Sequence, residues 1–215
     1  SHVFKRAERA NIGEVVVATE DQEIFDDVKK NGGQAIMTKN SHKTGTDRIY
    51  EAFLKFDNSK IDFVMNLQGD EPLMNINDIK KLNNQMIKNN CKLGTLASKI
   101  FEKELYEDES VVKVTTKDSL TNLNFPEAVD FFRKTSDQNK KIYKHLGIYC
   151  YHKETLEKFI SYEQSYNEIK HKLEQCRALD NNIKINVALA KSSPIGVDTE
   201  EDFVAIKKIM EYKQK

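Results

Sequence analysis

Short, continuously apolar runs alternate with stretches of helical spacing along the first half of this 215-residue chain. The run Glu14–Thr19 is typical of a strand buried on both faces, and a second run of this kind covers Ile61–Leu67. Between them, Thr46–Phe56 repeats its apolar residues at the spacing of one helical face, with Thr46 as the expected N-cap. This alternation predicts an α/β fold with a mostly parallel sheet, in which ligands bind beyond the carboxyl ends of the strands.

Three strand-like segments with short turns between them follow in the middle of the chain, and they favour antiparallel pairing over further crossovers. These segments are Val111–Thr116, Pro126–Phe132 and Tyr143–His152. We therefore expect a single domain over residues 1–215, with a smaller antiparallel insert at about 111–152.

The charge balance, 34 basic against 34 acidic residues, argues against a domain-wide positive field that could hold a nucleic acid. No apolar stretch approaches the roughly 20 residues that a membrane span needs, and no apolar signal segment opens the sequence. Cys91, Cys150 and Cys176 lack the paired spacing of a disulfide framework or a zinc site. We expect a cytoplasmic protein that binds neither nucleic acid nor membrane.

Arginine is scarce, because the 34 basic residues comprise 29 Lys and 5 Arg. A guanidinium offers a flat, two-pronged set of donors, whereas a lysine offers a point charge. Arginines in such a chain are therefore candidates for sites that need bidentate contacts. Beyond the first ten residues they are Arg48, Arg133 and Arg177.

Two acidic residues follow glycines in loops where the apolar pattern breaks. Asp70 lies in Gln68–Pro72, directly after the second apolar run. Asp198 lies in Ile195–Thr199, before a closing helix expected at Thr199–Met210. Mg²⁺ typically takes one or two protein carboxylates, so both residues are candidate metal ligands. Each could instead cap the helix that follows it.

The segment Ser41–Arg48 is rich in hydroxyl groups and hydrogen-bond donors, and it leads into a helix N-terminus. The backbone N–H groups and the dipole of a helix N-terminus favour phosphate. Such a segment can cradle a nucleotide, although a purely polar cap sequence has the same composition.

Strict alternation in Lys144–Tyr151 predicts a strand with two different faces. One face carries Leu146, Ile148 and Cys150 and is expected to join the core. The other face carries hydrogen-bonding groups beside a glycine, which suits a polyhydroxylated ligand or else a solvent-facing surface. Its residues are His145, Gly147, Tyr149 and Tyr151.

A helix is expected at Asn167–Leu179, with Glu174 and Arg177 three residues apart on one side. This pair is either an ordinary surface ion pair or part of a site. The residues expected to face the core are Ile169, Leu173 and Cys176.

Five short motifs are distributed over nearly the whole chain. They are Ser41-x-x-x-Gly-Thr-x-Arg48, Gln68-Gly-Asp-Glu-Pro72, His145-Leu-Gly-Ile-Tyr149, Leu173-Glu-Gln-x-Arg177 and Gly196-Val-Asp-Thr199. Together they resemble the signature of the CMP-Kdo synthetase family, the 3-deoxy-manno-octulosonate cytidylyltransferases. Each motif is weak alone, but five in the family's order and at roughly its spacing are highly specific.

The resemblance implies a Rossmann-like nucleotidyltransferase, usually a homodimer, that uses CTP and Mg²⁺. The anomeric hydroxyl of 3-deoxy-manno-octulosonate (Kdo) would attack the α-phosphorus, releasing pyrophosphate and forming CMP-Kdo for lipopolysaccharide synthesis. Positioning and charge neutralisation would dominate catalysis, since both substrates are anionic.

The motif positions also imply roles for individual residues. The metal would be held by Asp70 and Asp198, and these two with Arg48 would form the catalytic group. The sugar would be contacted by Gln68, Arg133, His145, Tyr149, Glu174 and Gln175. The cytidine pocket would include Ser41, Gly45 and Arg48.

The sequence departs from the family pattern in three places, one of which is His171, where the family commonly has an acid. Residues His2–Ala10 match the helix that in the family follows the first strand and its phosphate-binding loop, so we expect that strand and loop to be absent. After Arg133, the segment Phe132–Asp137 differs from the family's Ser-Arg-x-x-Ile-Pro. Two alternatives therefore stand beside Kdo activation. One is a synthetase for a sialic-acid-like nonulosonate, and the other is an inactive relative that binds nucleotide without turnover.

Overall fold

A computed structural model describes residues 2–56, 59–136, 141–194, 196–197 and 199–212. The helices are α1 (His2–Ala10), α2 (Gln22–Lys30), α3 (Gly45–Lys55), α4 (Ile76–Asn89), α5 (Lys153–Ser161), α6 (Tyr166–His171), α7 (Gln175–Asp180) and α8 (Glu200–Tyr212), with a short 3-10 helix at Lys103–Tyr106. The strands are β1 (Val16–Thr19), β2 (Gln34–Met37), β3 (Phe63–Leu67), β4 (Leu93–Ser98), β5 (Lys113–Thr116), β6 (Ala128–Phe132), β7 (Ile142–His152) and β8 (Asn186–Leu189).

Strand β7 organises the larger of two sheets. Its first residues pair with β5 and its last residues with β3, both antiparallel, while β4 runs antiparallel along its other edge. Strand β8 pairs parallel to β4, and β6 pairs with β5 at the far end. The predicted α/β fold is confirmed, and the large sheet is mixed because β7 runs against the strands beside it.

The strands expected at about 111–152 do pair antiparallel, but they belong to the large sheet rather than to a separate layer. The physical reason is the length of β7. Its 11 residues are enough to pair with β5 at one end and with β3 at the other.

The run Glu14–Thr19 is less buried than predicted. Only Val16–Thr19 forms a strand, and the residues of β1 before Thr19 are half-buried. Among the described strands, β1 pairs with β2 alone, in a separate two-stranded parallel sheet. The expectation of burial on both faces was therefore wrong among the residues that the structure describes.

The two faces of β7 contribute to two different hydrophobic clusters, as the alternation predicted. Leu146, Ile148 and Cys150 pack with residues of α4 in one cluster. Tyr149 and Tyr151 belong to the other cluster, together with residues of α5 and α7.

The N-cap of α3 is Thr44 and not Thr46. The Thr44 side chain accepts a hydrogen bond from the backbone N–H of Asp47, and the Asp47 carboxylate accepts one from the backbone N–H of Thr44. This reciprocal pair is a capping box, which satisfies two amide groups at once. Thr46 lies two residues further along, in the first turn of α3, and is fully buried.

The helix predicted at Asn167–Leu179 is interrupted. Lys172 ends α6 in the left-handed conformation, with φ of 53°, and α7 begins three residues later. This change of direction turns Ile169 out to 62% exposure, whereas Leu173 and Cys176 are buried as predicted.

The close approach of α4 to β4 requires the glycine at position 94. A Cβ atom there would lie 2.5 Å from Sδ of Met86 and 2.7 Å from Cζ of Phe125.

We predict that Gly94→Ala lowers the free energy of unfolding by about 1–3 kcal/mol, the usual cost of overpacking a core. Urea denaturation measures this change. Gly13→Ala is the matched control, because a Cβ there meets no atom within 4 Å, and an equal loss in both variants would contradict the packing argument.

Candidate active site around β7 and the loop after β3

The loop Gln68–Pro72 after β3 packs directly onto Gly147 of β7. A Cβ atom at Gly147 would lie 3.3 Å from Oε1 of Gln68 and 3.4 Å from Oε1 of Glu71. Because glycine has no side chain, the side-chain oxygens of Gln68 and Glu71 can pack closely against the strand at this position. Gly147 lies on the same face of β7 as His145 and Tyr149, so the loop covers the face predicted to carry a ligand.

Asp70 is exposed, and its backbone joins the loop to the segment before α8. Val197 donates its backbone N–H to the carbonyl oxygen of Asp70 at 2.8 Å. Asp198 itself lies outside the described residues. The capping role weighed for Asp70 is filled by another residue, since Asn75 caps α4 by accepting from the N–H of Asn77.

The N-terminus of α8 is likewise capped by a residue of its own. Thr199 accepts a hydrogen bond from the backbone N–H of Asp202, and Asp202 accepts from the N–H and the hydroxyl of Thr199. This is a second capping box.

The first turn of α3 contacts the start of α7 through Thr46 and Glu174. The Thr46 hydroxyl donates to Oε1 of Glu174 at 2.9 Å, and the Thr46 backbone N–H donates to Oε2 at 3.4 Å. Burial raises the pKa of Glu174, and the hydrogen bonds from Thr46 oppose that rise. The predicted nucleotide segment and the predicted sugar segment are thus in direct contact.

Arg177 is buried, at 2% exposure, and forms ion pairs with Glu168 and Asp47 rather than with Glu174. Its Nε and one terminal nitrogen donate to the two oxygens of Glu168 at 2.8 and 2.6 Å, and the other terminal nitrogen donates to Asp47 at 3.2 Å. Its guanidinium also lies 4.6 Å from the ring centroid of Phe159. The expectation of a surface pair between Glu174 and Arg177 was wrong.

The polar face of β7 is buried instead of lining an open wall. His145, Tyr149 and Tyr151 form a continuous row of rings, with centroid distances of 5.4 and 6.1 Å between neighbours. Burial lowers the pKa of His145 to about 3 and raises the pKa values of both tyrosines well above their ordinary value. At neutral pH all three side chains are therefore uncharged hydrogen-bonding groups.

The guanidinium of Arg48 joins the carboxyl ends of β1 and β2 to α3. One terminal nitrogen donates to Oγ1 of Thr38 at 2.7 Å and to the carbonyl of Lys39 at 3.4 Å, and the other pairs with Glu20. Arg48 thus lies where ligands bind in open α/β sheets.

The guanidinium of Arg133 also has several acceptors. It donates to the backbone carbonyls of Glu109, His171 and Lys172 at 3.1–3.2 Å. The bonds to His171 and Lys172 connect the end of β6 to the turn between α6 and α7, just before Gln175.

The remaining predicted residues lie around α3 and α7. Ser41 is exposed, and Gly45 is the first residue of α3. A Cβ atom at Gly45 would lie 3.6 Å from Nδ2 of the buried Asn66, at the end of β3. Gln175 is buried in the first turn of α7.

Sequence reasoning did not identify Asp47, Glu168, Glu71 or Thr95 as parts of this region. The spacings Thr44-x-x-Asp47 and Ser165-x-x-Glu168 are capping-box signals that could have drawn attention to the two acids. Their shared partner Arg177 could not be read from the sequence, because it lies 130 residues from Asp47.

None of the described helices is long and apolar enough to cross a membrane. In the part of the chain that the structure describes, no group of three or more His, Cys, Asp or Glu residues is arranged to hold a metal ion.

The sequence model of the cytidylyltransferase family matches residues 1–185 of the chain. The chain belongs to the cytidylyltransferase family. A 3-deoxy-manno-octulosonate cytidylyltransferase of Bartonella tribocorum is 37% identical to this chain over 211 residues. The match covers 97% of this chain and 86% of that relative. A protein of the same name from Paramagnetospirillum magneticum is 36% identical over 203 residues, covering 94% of this chain and 82% of that one.

A solved structure agrees with the family. A CMP:2-keto-3-deoxy-manno-octonic acid synthetase complexed with CTP superposes with a TM-score of 0.87 and 30% identity, covering 99% of this cytidylyltransferase and 87% of that chain. A UDP-glucose pyrophosphorylase, at 11% identity and a TM-score of 0.70, shares the fold alone. The predicted nucleotidyltransferase fold and enzyme class are confirmed. Nucleotidyltransferases of this kind generally use a divalent metal.

The ion pairs of Arg177 generate a stability prediction for this cytidylyltransferase. Arg177→Met is expected to lower the free energy of unfolding by about 3–5 kcal/mol, because it leaves the Glu168 carboxylate buried without its cation. Adding Glu168→Gln removes the stranded charge and keeps an oxygen for the α6 cap, so the double variant is expected to be more stable than Arg177→Met. Urea denaturation measures both.

A surface ion pair is the control for this comparison. Lys134, which is 3.9 Å from Glu109 and largely exposed, is replaced in Lys134→Met, and the expected change is within about 0.5 kcal/mol. A double variant that is less stable than Arg177→Met would contradict the charge argument.

Proposed function

We propose that this chain transfers the cytidylyl group of CTP to Kdo, forming CMP-Kdo and releasing pyrophosphate. The observation that carries the proposal is the contact between Thr46 and Glu174, because it puts the nucleotide segment beside the sugar segment. Group transfer requires such adjacency, since the attacking hydroxyl and the α-phosphorus must be held in line. The names of the relatives and the CTP in the similar structure support the choice of substrates.

The proposed metal ligands are Asp70 and Asp198. The exposed carboxylate of Asp70 offers the hard oxygen that Mg²⁺ prefers, and one or two such groups suffice, so the absence of a larger acidic cluster among the described residues does not conflict with this ion. When bound, Mg²⁺ would neutralise phosphate charge and polarise the phosphorus. The hydrogen bond from Val197 to the Asp70 carbonyl supports the pairing, because it ties the loop of Asp70 to the residue preceding position 198.

The proposed sugar site lies on the covered face of β7. Gln68 reaches over Gly147, and His145 and Tyr149 supply uncharged hydrogen-bonding groups beside it. Such groups suit the hydroxyls of a sugar acid. Glu174 and Gln175 complete the proposed site at the start of α7.

Arg133 and Arg48 are the proposed cations for the substrates. Arg133 would meet the sugar carboxylate by exchanging at least one of its three backbone carbonyl partners. Arg48, with Ser41 and Gly45, would contact CTP at the carboxyl ends of β1 and β2. The positive end of the helix dipole at the start of α3 favours the anionic nucleotide there.

We further propose a homodimer to which the segment at about 111–152 contributes. Leu123 and Val129 in this segment are large apolar residues exposed in the single chain. Exposed apolar side chains of this kind can contribute to an interaction surface.

The function is tested by pyrophosphate release from the full chain with Mg²⁺. CTP is compared with the other three nucleoside triphosphates, and Kdo is compared with a sialic acid. We expect the highest kcat/KM for CTP with Kdo. Preference for the sialic acid would instead support nonulosonate activation, and CTP binding without any pyrophosphate release would support an inactive relative.

The metal assignment generates a separate prediction. Asp70→Asn is expected to lower pyrophosphate release on the order of a hundredfold or more, because the variant loses a charged ligand for the metal. The bond to Val197 should persist in the variant, since it uses the backbone carbonyl of residue 70. Glu157→Gln, which changes an exposed acid on α5, is the control and should keep full activity. Wild-type turnover by Asp70→Asn would show the assignment to be wrong.

A further inference from the structure

Thr95 of β4 makes an unusual set of contacts inside the large sheet. Its side chain is fully buried, and its hydroxyl oxygen lies 2.9 Å from Nε2 of His145 and 2.7 Å from the carbonyl oxygen of Ile148. Both partners lie in the motif His145–Tyr149, whereas Thr95 lies in none of the five motifs.

An irregularity in strand pairing creates this arrangement. Thr95 pairs with Tyr149, but the next residue, Leu96, pairs with Leu146, so two residues of β7 are bypassed. In a regular ladder the residue of β7 diagonal to Thr95 on this face would be Gly147. The register shift puts His145 there instead.

The protons of this group can be assigned by counting. A threonine hydroxyl has one proton, and a carbonyl oxygen can only accept. The Thr95 hydroxyl faces two carbonyl oxygens, of Ile148 at 2.7 Å and Leu146 at 3.5 Å, so we assign its proton to the shorter contact and the bond to His145 to Nε2–H. Burial holds the pKa of His145 at about 3, so the ring carries a single proton at neutral pH. Nδ1 is then an acceptor.

The ring is also fixed in orientation. Phe131 contacts it edge-on with centroids 5.2 Å apart, and Tyr149 lies against it at 5.4 Å. Within the described part of the chain, the hydrogen bond of the ring uses Nε2 and not Nδ1, and the main-chain N–H of His145 donates to the carbonyl oxygen of Val112.

We propose that Thr95 is a positioning residue that holds His145 in its Nε2–H tautomer, so that Nδ1 accepts a hydrogen bond from a hydroxyl of the sugar acid. An uncharged acceptor selects a hydroxyl and not the carboxylate of the same substrate. The identity of this ligand rests on the proposed function, whereas the tautomer does not.

The tautomer is tested by NMR on the full chain with ¹⁵N-labelled histidine. Long-range ¹H–¹⁵N spectra distinguish a protonated from an unprotonated ring nitrogen, and the spectrum of His145→Gln identifies the resonances of residue 145 among those of the five histidines. We expect a protonated Nε2 and an unprotonated Nδ1 in the wild type. A protonated Nδ1 would overturn the proposal without any enzyme assay.

The positioning role is tested by Thr95→Val, which keeps the shape but removes the hydroxyl, and by Thr95→Ser, which retains it. In Thr95→Val we expect both tautomers and a rise in KM for Kdo of about five- to tenfold, the effect of one neutral hydrogen bond, with kcat and KM for CTP little changed. Thr95→Ser should restore the wild-type spectrum and KM. Thr95→Ala replaces Thr95→Val if the latter does not fold.

The possible outcomes separate the two proposals. Loss of stability in Thr95→Val with an unchanged tautomer and an unchanged KM for Kdo would mean that Thr95 is only structural, which overturns the inference. Failure of the wild-type chain to use Kdo would contradict the proposed function. The spectra of wild type and Thr95→Val would still decide whether Thr95 sets the tautomer.

Discussion

The guanidinium of Arg177 can remain in an apolar interior only because two carboxylates neutralise its charge there. Those carboxylates belong to the first turns of α3 and α6, so one cation fixes the N-termini of two helices relative to α7. The neighbour of Asp47 in α3 is Thr46, which contacts Glu174 at the start of α7. The distance between the proposed nucleotide and sugar segments therefore depends on this buried ion pair.

Much of the fold could be predicted because its signals are local. The alternation in β7 is encoded in neighbouring side chains, and its two faces do enter two different clusters. The cap of α3 was also encoded locally, since only Thr44 has an acid three residues later. The break at Lys172 could not be predicted in this way, because lysine has no particular preference for the left-handed conformation that ends α6.

The candidate site likewise contains residues with local sequence signals and residues without them. Residues in short motifs, such as Gln68 and Glu174, could be proposed from sequence, and the structure places Gln68 against Gly147 of β7 and Glu174 against Thr46 of α3. The scarcity of arginine correctly pointed to residues with several acceptors, as Arg177 and Arg133 show. Their partners could not be predicted, because carbonyls and carboxylates far along the chain carry no local mark. The same is true of Thr95, whose contact with His145 depends on a register shift between strands.

The hydrogen bond between Val197 and Asp70 uses main-chain atoms only. This bond does not use the side chain of either residue. Replacing the acid at position 70 would therefore change the charge offered to the proposed metal, while this main-chain bond could still join the two loops.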